Sequence, residues 1–240
     1  MLHISLAGET LFTVLGFSVT NSLLTTWVVM AILIFVATIV SSDLKLYPTR
    51  FQVAAELVVG GMYTTFHGIL GNKTAAYFPL VMTFFVFIIA GNWFGLIPGV
   101  GSIGIAETPM IPLLRAPTAD LNTTFALALI SVIAIQVAGI RALGGMAYIG
   151  KFITFKDPIS FYVGLLELIS ELGKILSFAF RLFGNIFAGE VLLAVVAFLI
   201  PYFAPVPFLG LEIFVGFIQA LVFAMLTAVF LSAATARTAH

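Results

Sequence analysis

ISFYVGLLELISELGKILSFAFRLFGNIFAGEVLLAVVAFLI, residues 159–200, is an apolar run of 42 residues broken only by small or isolated polar residues. Its length decides the fold. About 20 helical residues cross the roughly 30 Å of bilayer hydrocarbon. At 1.5 Å per residue, this stretch reaches about 60 Å as a helix. No proline lies between Pro158 and Pro201. The expected structure is one long, steeply tilted membrane helix rather than two short upright ones.

The rest of the chain has the same character. Of its 240 residues, 62% are apolar and 8% are charged. Soluble domains carry about 25% charged residues, so this chain has too little polar surface to face water everywhere. Lys plus Arg and Asp plus Glu balance at 10 each, which speaks against a nucleic-acid partner. There is no cysteine, so disulfides, thiolate metal sites and cysteine nucleophiles are excluded.

Four further segments are long enough to cross: 22–41, 78–98, 121–140 and 208–236. Residues 50–71 mix apolar residues with Arg50, Glu56 and His67, which predicts an amphipathic helix along the membrane surface, with an ordinary loop helix as the alternative. The expected fold is an all-α integral membrane protein with about five crossings in a single domain, 1–240. The first 23 residues hold no Lys or Arg. A secretory signal needs a positive start, so the first span is expected to remain and direct insertion.

Basic residues orient the chain. The loops hold in turn Lys45, Arg50 and Lys73; Arg115 alone; Arg141, Lys151 and Lys156; and none. Cytoplasmic loops carry the excess of positive charge. The N-terminus is therefore expected outside and the C-terminus, with Arg237, in the cytoplasm.

Some apparent motifs fit this context poorly. GVGSIG at 99–104 has the spacing of a dinucleotide fingerprint, but it follows a membrane span and leads into a proline-containing loop. Gly91, Gly95 and Gly99 form a small-residue ladder, expected to pack helices closely. With three histidines, two of them near the ends, a metal site has little to stand on.

The charges inside the long run carry the functional reading. At about 100° per residue, Glu167, Glu171, Lys174, Phe178, Arg181 and Asn185 share a stripe of roughly 80°. Glu190 points to the opposite side. Glu171 and Lys174 have the spacing of an i,i+3 ion pair. Arg181 has no acid one turn away, since Ser177, Phe178, Gly184 and Asn185 occupy those positions. Its guanidinium stays charged, so its partner is expected on another protein. A carboxyl group passing it would ionise there and re-protonate away from it. Glu190 and Glu212 are suited to relay protons, because carboxyl groups both accept and donate them.

RLFGNIFAGE at 181–190 and FIQALVFAMLTAVFLS at 217–232 resemble subunit a of the F-type ATP synthase membrane sector. GNWFGLIPG at 91–99 and PTADLNTTFALAL at 117–129 look like that family's second and third spans. The resemblance implies a proton-translocating stator subunit with two offset half-channels to a rotating c-ring. It places Arg181 on the essential arginine facing the ring's carboxylate. Asn185 and Glu190 fall on polar half-channel positions, and Gln219 on a glutamine near the arginine. Glu212 falls where some members carry histidine. Asp120 and Asn122 match positions at the outer channel mouth. The implied partners are the c-ring, the peripheral-stalk b subunits and the lipid bilayer of a bacterial plasma membrane. No cofactor and no catalytic site of its own are implied. The rival is an ion-coupled secondary transporter with a midplane site, but that class predicts internal repeats and broken helices.

Overall fold

The computed structural model describes residues 8–14, 16–42, 44–45, 47–97, 104–105, 111–145, 148, 150, 158–200 and 203–236. Helices dominate: α1 Asn21–Ser42, α2 Arg50–Leu70, α3 Thr74–Gly95, α4 Leu121–Leu143, α5 Pro158–Leu199 and α6 Pro205–Thr235. A hairpin of β1 Thr10–Val14 and β2 Phe17–Thr20 precedes them. The two-residue strands β3 Gly104–Ile105 and β4 Ile111–Pro112 pair in the loop after α3.

Among the described residues five helical segments are long and apolar enough to cross a membrane: Asn21–Ser42, Arg50–Gly95, Leu121–Leu143, Ile159–Leu199 and Pro205–Thr235. The second is longer than the expected 78–98 because it joins α2 to α3. The long run is a single helix of 42 residues, Pro158–Leu199. Nothing in its sequence removes a backbone donor, so the hydrogen-bond ladder runs through. Its partner α6 opens on Pro205 and Pro207, where absent N–H groups cost nothing.

The amphipathic segment forms α2. Thr49 caps it, its Oγ1 accepting from the Gln52 N–H at 3.3 Å, and Gly71 closes it at φ 55°. Phe66 and Leu70 turn inward, while Phe51, Leu57, Val58 and Tyr63 are exposed. Only a 3₁₀ turn, Gly71–Lys73, separates α2 from α3. The second span therefore starts at Thr74, earlier than the predicted 78, with Pro79 inside it.

α3, α4, α5 and α6 bury one apolar core around Ile88, Val81, Ile135, Leu182, Phe223 and Leu231. Phe178 of α5 sits at its centre, in ring contact with Phe223 and Phe230 of α6. Ser131 of α4 and Thr227 of α6 share a hydrogen bond at 3.0 Å inside it. A buried hydroxyl pair of this kind satisfies both groups where lipid offers no partner. By contrast α1 leans on the bundle by few residues, and most of its length is exposed.

The glycine ladder serves a loop rather than a helix, correcting the expectation. A side chain at Gly91 would meet the Pro117 ring at 3.6 Å, and one at Gly95 would collide with Ala116. Gly95 is the one that lets residue 116 fold back onto α3, since 3.6 Å at Gly91 is an ordinary packing distance. Gly99 and most of GVGSIG lie outside the described residues, as do Lys151, Lys156, Pro201 and Arg237.

Polar contacts join helix ends in two groups. One group unites the start of α1, the end of α3, residues 112–120, the start of α4 and the start of α6. Asn21 donates to the Pro112 carbonyl at 3.2 Å, Thr118 to Asn92 at 2.6 Å, and Trp93 to the Ile213 carbonyl at 3.1 Å. The other unites the start of α3 with the end of α6: Lys73 Nζ donates to the Thr235 carbonyl at 2.7 Å and to its Oγ1 at 2.9 Å. This sorting is what alternating crossings require.

Candidate functional site

Arg181 is exposed on the flank of α5. Its described side-chain hydrogen bond is Nη2 to Ser177 Oγ at 3.2 Å, one turn back. Among the described residues no carboxylate of this chain forms an ion pair with it. The surrounding helix face is built of small exposed residues: Ser170, Gly173, Ser177, Gly184 and Ala188. With Arg181 these span a stripe of roughly 80°. Small residues at helical spacing let a neighbouring helix approach closely. The chain thus presents a permanent cation on a flat ledge.

Beside the ledge lies an open cleft of about 400 Å³, lined by Ser170, Lys174, Ser177, Arg181, Leu226 and Phe230, among others. Lys174 is held at its edge. Its Nζ donates to Glu171 Oε1 at 2.7 Å and lies 4.8 Å from the centre of the Phe230 ring. The i,i+3 pair expected from the spacing is therefore present. Sequence reasoning missed what lies behind it. Gln136 Nε2 of α4 donates to Glu171 Oε2 at 2.8 Å, and Tyr148 Oη donates to Gln136 Oε1 at 2.5 Å. Burial, then the charges of Glu171 and Glu167, push the Tyr148 hydroxyl above its ordinary value. It remains a donor through the whole physiological range.

On the other side of Arg181, Asn185 reaches across to α6. Its Nδ2 donates to Gln219 Oε1 at 2.5 Å. Gln219 is 3% exposed, and its own Nε2 has no hydrogen-bond partner among the described residues. The structure thus brings Arg181, Asn185 and Gln219 to one neighbourhood. Glu212 lies seven residues before Gln219 on α6 and is 5% exposed. Its carboxyl group occupies the space where a side chain at Gly189 would sit. Only glycine at 189 leaves room for it.

Glu190 faces away from the Arg181 ledge, as the spacing predicts. It is not free: Arg115 Nη2 donates to Glu190 Oε2 at 2.9 Å. In the sequence Arg115 stands out only as a loop charge. Its side chain is 9% exposed, so it belongs to the protein interior. The loops assigned to the outside then hold no other Lys or Arg.

Asp120 is buried at 3% exposure. One carboxylate oxygen accepts from the Asn122 N–H at 3.0 Å and caps α4, and the other accepts from Ser22 Oγ of α1 at 2.5 Å. Asn122 is exposed and donates through Nδ2 to the same Asp120 at 3.1 Å. These two residues stand in the group of helix ends that holds the 112–120 loop, apart from the Arg181 ledge.

A family model described as ATP synthase A chain matches residues 23–232. The chain is similar to proteins named ATP synthase subunit a. That of Desulforamulus reducens is 37% identical, over 91% of this chain and 81% of the relative. That of Geobacter sulfurreducens is 33% identical, over 96% of this chain and 89% of the relative. That of Desulfotalea psychrophila is 37% identical, over 87% and 82%.

Proposed function

The chain belongs to the ATP synthase A chain family, and from that membership we propose that it is the proton-conducting stator subunit of an F-type ATP synthase. Two offset half-channels lead to the c-ring, and Arg181 stands between them. The observation that carries this reading is the exposed guanidinium on a membrane-length helix, bonded to Ser177 and to no described acid of its own chain. A charge at bilayer depth is costly unless paired. The stripe of small residues around it admits a helix that brings the missing carboxylate.

The mechanism follows from two environments. Beside Arg181 the visiting carboxyl group is favoured as the anion and surrenders its proton. Away from it, facing lipid, the neutral acid is favoured, so a proton is taken up before the group departs. Arg181 cannot itself relay a proton, since its guanidinium stays charged. It therefore blocks direct leakage between the half-channels. Each proton moving through 100 mV of potential delivers about 2.3 kcal/mol.

Glu190, Glu212, Asn185 and Gln219 serve the half-channel on the outer side, with Asp120 and Asn122 at its mouth. The cleft along Ser170, Lys174 and Ser177 serves the other half-channel. The c-ring docks on the ledge, the b subunits on faces away from it, and the chain sits in a bacterial plasma membrane with its N-terminus outside. The test is Arg181→Ala in membrane vesicles. The expected result is loss of ATP synthesis driven by a proton gradient, with the complex still assembled. Synthesis at the normal rate would refute the mechanism.

A further inference from the structure

The loop before α4 carries an arginine that the reading above does not use. Arg115 meets Glu190 at two points: Nη2 to Oε2 at 2.9 Å and Nε to Oε1 at 3.4 Å. A planar fork on both carboxylate oxygens fixes direction as well as distance. The loop is fixed in turn. The Arg115 backbone N–H donates to Thr25 Oγ1 at 3.1 Å, and Thr25 donates to the Asn21 carbonyl at 2.9 Å. The next residue of α1, Ser22, donates to Asp120 at 2.5 Å. A row of polar contacts thus runs from Asp120 through the start of α1 and the loop to α5.

Glu190 lies nine residues beyond Arg181, about 13 Å along the helix and on its opposite side. The two arginines flank α5, each with a separate task. Glu212 of α6 fills the space at Gly189, one residue before Glu190. Among the described residues Glu190 itself pairs with Arg115 of the loop.

We propose that Arg115 is a positioning residue for proton transfer, holding Glu190 at the inner end of the polar row so that protons reach Glu212 by way of Glu190. A proton arriving from the outer water adds to a Glu190 oxygen and ends the pair. The neutral carboxyl group passes that proton to the Glu212 carboxylate, and Glu190 returns to Arg115 as the anion. One O–H bond breaks as another forms, and no electron changes hands. This role rests on the proposed proton-channel function.

The test is a double-mutant cycle. The assembled complex in vesicles is driven by an imposed potential, and proton uptake is read per assembled copy of this chain. Arg115→Gln lowers uptake on the order of tenfold, below the 10²- to 10⁴-fold that positioned proton-transfer groups contribute. Arg115→Lys keeps the charge without the fork and lowers it only about threefold. Both effects vanish when Glu190→Gln is already present. Should Arg115→Gln fail to assemble, the lysine variant completes the cycle alone. Full uptake in both Arg115 variants, or the same loss with and without Glu190→Gln, overturns the role of Arg115. Failure of the underlying function reads out separately, in the Arg181→Ala variant.

Discussion

At the residue scale, function rests on where a charge finds its partner. Lys174 finds Glu171 within its own helix, and Arg115 finds Glu190 across the fold. Among the described residues Arg181 has only a hydroxyl. The first pair was legible in the sequence because an i,i+3 spacing suffices to foresee it. The second was not, because 75 positions separate its members and no local rule joins them. Glu190→Gln and Glu212→Gln each remove one carboxylate and leave the cation in place. Both are expected to slow proton flow without abolishing it, in contrast to Arg181→Ala. Full flow in both variants, measured by vesicle acidification, would take them off the path. Gly189→Ala makes a sharper prediction. The added methyl group would displace the Glu212 carboxyl group, so flow falls although no titratable residue has changed. An unaltered rate would mean that Glu212 works from another position.

At the element scale, apolar length fixed what would cross. The long helix was foreseen as one piece, and it ends within a residue of the expected place because nothing in it breaks the ladder. The join between α2 and α3 was less legible. Asn72 and Lys73 look like loop residues, yet they form a single 3₁₀ turn. The role of Gly91 and Gly95 was also hidden, since a ladder of glycines does not say whether a helix or a loop will lie on it. Lys73 tests the element scale. It closes the end of α6 through two hydrogen bonds to Thr235, and bonds to charged groups contribute about 1.5–3 kcal/mol. Lys73→Ala is expected to loosen the last turn of α6, seen as faster amide exchange there, while proton flow persists. Protection equal to the parent would show the contact to be incidental.

At the scale of the whole molecule, the helices divide their polar contacts between two ends. Asp120, Asn21, Arg115 and Glu190 gather at one, and Lys73, Thr235, Gln136, Tyr148 and Glu171 at the other. Arg181 lies between them on the open flank of α5. The proposed half-channels would each draw on one of these two polar groups. The sequence displayed the cation and the helix beneath it. It did not display the two polar regions, because each is assembled from residues on four or more elements.

The central claim is that the counter-ion of Arg181 belongs to a neighbour that comes and goes. Gly184 tests it most directly: it is exposed three residues beyond Arg181, and a side chain there meets nothing within 4 Å. The chain has no cysteine, so Gly184→Cys introduces a single reporter. A second cysteine is placed one turn from the membrane carboxylate of the c subunit, and the assembled complex is oxidised in vesicles. The account predicts a disulfide between the two chains that halts ATP-driven proton pumping, with pumping restored on reduction. Efficient oxidation with no such crosslink, and pumping undisturbed, would contradict it.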